Sequence, residues 1–455
     1  MDLATAENAT VGSPPAADAQ VCIIGAGVSG LTAAKALRQA GVTVDCLERG
    51  SDLGGMWRYG NDSGTSSAYR SLHIDSSRQS LNFPDFPIPD HMPDYLSHAQ
   101  VLGHLEAYAE RFDIRPAIRF GRTVLRVEPA PDGGWDVTSV PTRDEAGDEA
   151  GSNVETCRYL QVIVANGHLT EPRYPDFPGR FDGTVVHSHH YRVSDPYEDK
   201  SVLVVGLGNS AVDIAVDLAR RARTVLLSTR RSAWIMPKYL MGLPTDRWSA
   251  FLVGRLRLPV PLARAVLRQV ARLAIGNQER FGVPRPAHPI WREHATISQD
   301  LLPYLGHGWI RMKPNMARLD GGKVEFVDGS REPVDAIVYA TGYHTRFPFI
   351  DESVFSVREG QPPALYRRIV AVDRPGLLFA GLLQPIGPTI TLVEIQARWM
   401  AALLSGRIAL PDRTAMAAEI ERHRAGVARR YVDAARYTLE VDFKEYAGQL
   451  VRDLG

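Results

Sequence analysis

Only three cysteines occur in 455 residues, Cys22, Cys46 and Cys157, and no two of them form a C-x-x-C pair. That scarcity excludes a disulfide framework, a thiolate metal cluster and a paired-cysteine redox centre. Cys22 and Cys46 stand in apolar, strand-like runs and read as small buried hydrophobes, a pattern that fits a reducing, cytoplasmic compartment. An excess of one charge is missing too: 52 Lys and Arg balance 52 Asp and Glu. Without a basic surplus there is no electrostatic footprint for nucleic acid. No stretch stays apolar for the ~20 residues of a membrane helix. Residues 1–20, rich in Ala, Pro, Ser and Asp, have neither the basic nor the apolar region of a signal peptide, and a disordered lead is expected there.

What remains is a globular composition, 44% hydrophobic and 23% charged, long enough for about two or three domains. Residues 21–50 read as strand, Gly-rich turn, helix and second strand, and residues 201–231 repeat that order. Two such βαβ units imply an α/β fold with two Rossmann-like dinucleotide-binding domains. The expected layout is a first part of one nucleotide domain over 21–170, a connection over 171–200, and the second nucleotide domain over 201–334. That second domain carries a helical insertion at about 245–300, and 335–455 returns to the first domain and ends in helices. Within 122–164 a strand-rich unit is expected, with a polar hairpin tip over 141–153. In the insertion, Arg264, Arg268 and Arg272 recur every four residues and share one helix face. A solvated helix covering the site mouth or contact with an anionic membrane surface would both produce this pattern.

The first motif is Gly25-Ala26-Gly27-Val28-Ser29-Gly30. Its glycines serve, in order, the tight turn, close approach of a pyrophosphate, and helix–strand packing, with the anion at the helix N-terminus. Eighteen residues on stands Glu48, followed by Arg49. A carboxylate there hydrogen-bonds a ribose and repels a 2′-phosphate, so FAD or NAD fits and NADP does not. The second motif is Gly206-Leu207-Gly208-Asn209-Ser210-Ala211, with Asp213 two residues further on. Its second strand ends in Ser228-Thr229-Arg230-Arg231, hydroxyls and guanidinium groups suited to a 2′-phosphate. The first site suits FAD and the second NADPH.

In the connection, His187, His189 and His190 invite a metal reading, but no carboxylate or cysteine nearby completes a ligand set, and no metal is expected. Phe181, Gly183, His187 and Tyr191 form the pattern F-x-G-x-x-x-H-x-x-x-Y. That pattern resembles the fingerprint of the flavin-containing monooxygenases; related Baeyer–Villiger enzymes usually carry Trp at the Tyr191 position. The resemblance runs from about Val21 to Pro411. It includes Gly54-Gly55-Met56-Trp57-Arg58, the segments FPIPDHMPDY and LLSTRRSAW, and Ala340-Thr341-Gly342-Tyr343. Gln384-Pro385-Ile386-Gly387 and Glu394 to Trp399 complete it.

The resemblance implies a glutathione-reductase-like architecture and an NADPH- and O₂-dependent enzyme. Such an enzyme forms a C4a-(hydro)peroxyflavin and oxygenates a soft nitrogen or sulfur of a small molecule. It also implies that Gly55, Met56, Trp57 and Gln384 lie along FAD, that Ala340 to Tyr343 mark the return to the FAD domain, and that the protein is a homodimer. The C-terminus lacks an apolar anchor, which suggests a soluble bacterial-type member. One departure stands out: Asp75 occupies the place of the family's usual active-site Asn, whose amide can donate a hydrogen bond. A buried Asp75 would hold a proton and donate, while a neighbouring cation would keep it ionised. Baeyer–Villiger oxygenation of a ketone and an uncoupled NADPH oxidase stand as alternatives. A non-catalytic flavin-binding protein is more remote.

Overall fold

The computed structural model describes residues 20–142, 153–430 and 438–455. The expected disordered lead, apart from Gln20, and the hairpin tip beyond Thr142 lie outside the described residues, save for Asn153. The chain begins with β1 (Val21–Ile24), α1 (Val28–Gln39) and β2 (Val44–Leu47). All eight strand residues are buried, as expected of a parallel sheet covered on both faces. In the seven-stranded sheet β1 lies between β2 and Gln161–Val164, parallel to both. Leu377–Phe379 extends the sheet in the same sense, so the first nucleotide domain is assembled from the two ends of the chain.

The second unit repeats this order with β3 (Ser201–Val205), α2 (Asn209–Leu218) and β4 (Thr224–Ser228). Its five-stranded sheet runs Thr184–His187, Ala336–Tyr339, β3, β4 and Ile310–Lys313, with every neighbouring pair parallel. Two expected boundaries are corrected by this sheet. Thr184–His187, assigned to the connection, forms its edge strand. Ala336–Tyr339, assigned to the returning first domain, is fully buried between that edge and β3. The return to the first domain therefore follows Tyr339.

The strand-rich unit consists of Arg122–Pro129, Trp135–Pro141 and Glu155–Tyr159, paired antiparallel. In the insertion, helix extends through α3 (Val260–Ile275), after which short turns and the two-residue strand Thr296–Ile297 follow before residue 300. α3 buries Ala263, Leu267 and Ala271, and Arg264 on an adjoining face pairs with Asp442 at 2.8 Å. Arg264 thus ties the insertion to the C-terminal segment. α4 (Thr389–Leu404) packs on α1 and covers the first sheet. Among the described residues, no helix is long and apolar enough to cross a membrane.

Candidate functional site at two nucleotide cradles

Both Gly-rich turns lead into a helix whose N-terminus has no side-chain cap. Gly27 and Gly208 are the N-cap residues of α1 and α2; neither helix has a side-chain cap, and neither carries an acidic residue in its first turn. The free N–H groups of a first turn are donors for a phosphate, and the helix dipole favours the negative charge. A Cβ on Gly208 would meet nothing within 4 Å, which leaves the backbone open to a ligand.

The remaining positions of each motif are filled by packing. A Cβ on Gly30 would stand 1.8 Å from the Gly25 carbonyl oxygen, so α1 can cross the turn only on a glycine. At the second site Gly206 has φ +133° and would strike the Ala340 carbonyl at 2.4 Å. Ala211 replaces the third glycine and is completely buried there. Val28 packs on the core of the first domain, whereas Ser210 is exposed.

Glu48 ends β2 with both oxygens engaged. The amide of Ala26 donates to Oε2 at 2.6 Å, and the amide of Gly50 donates to Oε1 at 2.7 Å. Burial pushes this carboxyl above its ordinary range, with the two amides pulling it back. Each oxygen keeps a lone pair for a ribose hydroxyl. Arg49 is exposed beside it. Gly55 lies against the motif: a Cβ there would sit 3.0 Å from the Cα of Gly27. Met56 and Trp57 pack into the same core, and Gln384 pairs with Glu440 in a short parallel ladder at the domain's rim. Of the C-terminal residues, Gln396 accepts from Gly381 at 3.0 Å, and the Trp399 indole donates to Asp453 at 3.0 Å. Both are wholly or almost wholly buried and act as scaffold.

At the second site the four residues that end β4 divide. Arg230 and Arg231 are exposed. Ser228 is completely buried and its hydroxyl donates to the Pro314 carbonyl at 2.7 Å; the Thr229 hydroxyl donates to the Arg231 carbonyl. A 2′-phosphate would therefore meet the two guanidinium groups and not Ser228.

The fingerprint residues meet one another and the scaffold. A Cβ on Gly183 would strike the Phe181 ring at 2.6 Å. His187 is completely buried; its Nδ1 accepts from the His189 amide at 3.1 Å, and desolvation lowers its pKa to about 4. Tyr191, also buried, donates its hydroxyl to Asp217 of α2 and packs its ring 6.0 Å from Tyr69. Among the described residues, no cluster of His, Cys, Asp or Glu has metal-site geometry.

Asp75 lies at the N-terminus of α2. The amide of Asn209 donates to its Oδ2 at 2.7 Å, and the Lys238 ammonium stands 3.3 Å from Oδ1. Burial raises the Asp75 carboxyl above its ordinary value, and Lys238, His294 and Asn209 act against that rise. Asp213, expected at the nucleotide, accepts from the Tyr69 hydroxyl at 2.9 Å. Lys238, Tyr69 and Asp217 were not among the expected site residues. The one sequence signal, the spacing of Asn209, Asp213 and Asp217 four residues apart on a helix whose other face is apolar, concerns Asp217 alone.

Two uncapped helix N-termini, each following a central parallel strand of its sheet, one beside a carboxylate and one beside paired arginines, define a two-nucleotide oxidoreductase. The flavin-binding monooxygenase-like family matches residues 18–455, and the chain belongs to it. It is 33% identical to flavin-containing monooxygenase 5 of Cavia porcellus, over 96% of this chain and 83% of that one. It is likewise 33% identical to dimethylaniline monooxygenase [N-oxide-forming] 2 of Rattus norvegicus, over 96% and 82%. S-allyl-L-cysteine S-oxygenase from Allium sativum superposes with a TM-score of 0.70 at 26% identity, over 96% of this chain and 88% of that one. The protein is an FAD- and NADPH-dependent monooxygenase. Those two curated relatives are mammalian, and the bacterial-type expectation gains nothing from them.

Proposed function

We propose that the chain oxygenates a soft nitrogen or sulfur of a small molecule, with FAD on the α1 cradle and NADPH on the α2 cradle. When bound, NADPH supplies a hydride and the reduced flavin reacts with O₂. This chain's residues do the remaining work. The amides at the start of α1, with Glu48, would hold the first nucleotide, and Gly55 to Trp57 with Gln384 would wall its ring system. The amides at the start of α2 would hold the second nucleotide's pyrophosphate, with Arg230 and Arg231 on its 2′-phosphate. Asp75 would orient the reacting groups. The observation that carries this reading is the junction at Asp75, where a loop of the first domain meets the nucleotide-binding turn of the second. An ionised Asp75 only accepts hydrogen bonds, which suits a substrate that presents an N–H or an ammonium. The three cysteines are all free, in keeping with a cytoplasmic setting. A homodimer belongs to the reading through the family alone.

Product formed per NADPH consumed, measured over panels of tertiary amines, sulfides and ketones, tests the substrate class. Amines or sulfides are expected to give N-oxides or S-oxides with near-stoichiometric NADPH use. Esters from ketones alone would put Baeyer–Villiger chemistry in its place, and hydrogen peroxide alone would make the protein an NADPH oxidase.

A further inference from the structure

The Lys238 side chain reaches out of the second nucleotide unit. Its ammonium meets three groups of the first: the Asp75 carboxylate at 3.3 Å, the Ile74 carbonyl at 3.4 Å and the Tyr95 ring, 5.2 Å from its centroid. The Tyr95 hydroxyl donates to the backbone carbonyl of Lys238, so one buried ring holds both the main chain and the side chain of this lysine. The Lys238 side chain is only 15% exposed. A lysine that merely dressed the surface would keep its ammonium in water.

Asp75 is fixed from its other side by Asn209, the first residue of α2. The Ile297 amide can only donate, and it donates to Asn209 Oδ1 at 2.9 Å, which sets the orientation of that side-chain amide. The NH₂ group of Asn209 therefore faces Asp75, 2.7 Å from Oδ2. With an amide donor on Oδ2 and an ammonium beside Oδ1, both oxygens of Asp75 are held as acceptors.

This is a costly place for a negative charge. The first turn of α2 has no side-chain cap and no acidic residue, and its N–H groups are the expected seat of the nucleotide's pyrophosphate. A bare carboxylate beside Asn209 would repel those phosphates. Asp213, one turn further along the same helix face, carries a second carboxyl; it accepts from Tyr69, and Lys238 acts on it as well.

We propose that Lys238 is a charge-compensating positioning residue of the NADPH site: it cancels the Asp75 carboxylate beside the pyrophosphate, so that Asp75 serves as a hydrogen-bond acceptor without repelling the nucleotide. Lys238 forms no bond to the substrate and moves no proton. The aspartate–lysine pair combines an acceptor with a neutral sum of charge, whereas a neutral amide at position 75 would turn a donor toward the ammonium. The inference rests on the α2 cradle being the NADPH site and is independent of what the enzyme oxygenates.

The test compares flavin-loaded wild type, Lys238→Met, Asp75→Asn and the double variant. It reads the Kd of NADP⁺ and that of adenosine 2′-phosphate, which has no pyrophosphate. The pair sums to zero charge in the wild type and the double variant, to one negative charge in Lys238→Met and to one positive charge in Asp75→Asn. NADP⁺ affinity should follow that sum: at low salt, Lys238→Met about 10-fold weaker than wild type, Asp75→Asn equal or tighter, and the double variant close to wild type. Adenosine 2′-phosphate should bind all four proteins alike. A Lys238→Met protein that binds NADP⁺ as tightly as the wild type would overturn the role. So would a double variant as weak as Lys238→Met, or an equal loss for adenosine 2′-phosphate, since either means that Lys238 acts through packing. Should Lys238→Met fail to fold, the double variant should bind NADP⁺ more weakly than Asp75→Asn, and equal affinities would overturn the role. A wild type that does not bind NADP⁺ would sink the α2 cradle itself, whereas binding that ignores the charge sum sinks this role alone.

Discussion

Gly30→Ala is expected to leave a gel-filtration column without flavin. The substituted Cβ would lie 1.8 Å from the Gly25 carbonyl oxygen, a backbone atom that no rotamer change can move. Either α1 shifts away from β1 or the turn opens, and both displace the amides that face the pyrophosphate. Overpacking of this kind costs about 3 kcal/mol or more. If half of that falls on the holo state, flavin affinity drops roughly tenfold, and if all of it does, roughly a hundredfold. Flavin absorbance per protein after desalting, with a melting curve beside it, separates lost cofactor from lost fold. A folded Gly30→Ala protein with a full complement of FAD would show that the first cradle is not where FAD binds.

The second large effect concerns the choice between NADPH and NADH. Ser228 was expected to share the 2′-phosphate, but its hydroxyl is buried and bonded to Pro314, so the proposed recognition rests on the exposed Arg230 and Arg231. A guanidinium–phosphate hydrogen bond contributes about 1.5–3 kcal/mol, and exposure places each of these arginines at the low end. The Arg230→Ala, Arg231→Ala double variant should lose about 100-fold in kcat/KM for NADPH and change little with NADH. Steady-state kinetics with both nucleotides reads this ratio. An unchanged preference for NADPH would move the phosphate site elsewhere.

Much of the fold was legible because local chemistry decides it. Each Gly-rich turn, the apolar strand before it and, at the first, Glu48 after it lie within about thirty residues, and local pattern carries that information. The contact between the domains was not legible. Asp75 meets Asn209 across 134 positions and Tyr69 meets Asp213 across 144, so no window of sequence contains either pair. Asp213, four residues along the helix from Asn209, accepts from Tyr69 of the first domain, a partner that the motif does not specify. Ser228 failed for a similar reason, since its place at a strand end does not reveal which way the hydroxyl points. Asp75 was found only through the family's usual Asn, and its partner Lys238, ten residues beyond β4, carried no mark at all. The strand Ala336–Tyr339 was misassigned because a short buried run reads alike in either sheet.

Isotope tracing gives the most direct test of the central claim. Purified protein loaded with FAD is supplied with NADPH, ¹⁸O₂ and the best amine or sulfide from the panel, and the product is analysed by mass spectrometry. The account predicts one labelled oxygen atom in each product molecule, with one NADPH oxidised for each. Label confined to water or hydrogen peroxide, or a flavin that NADPH does not reduce, would contradict it.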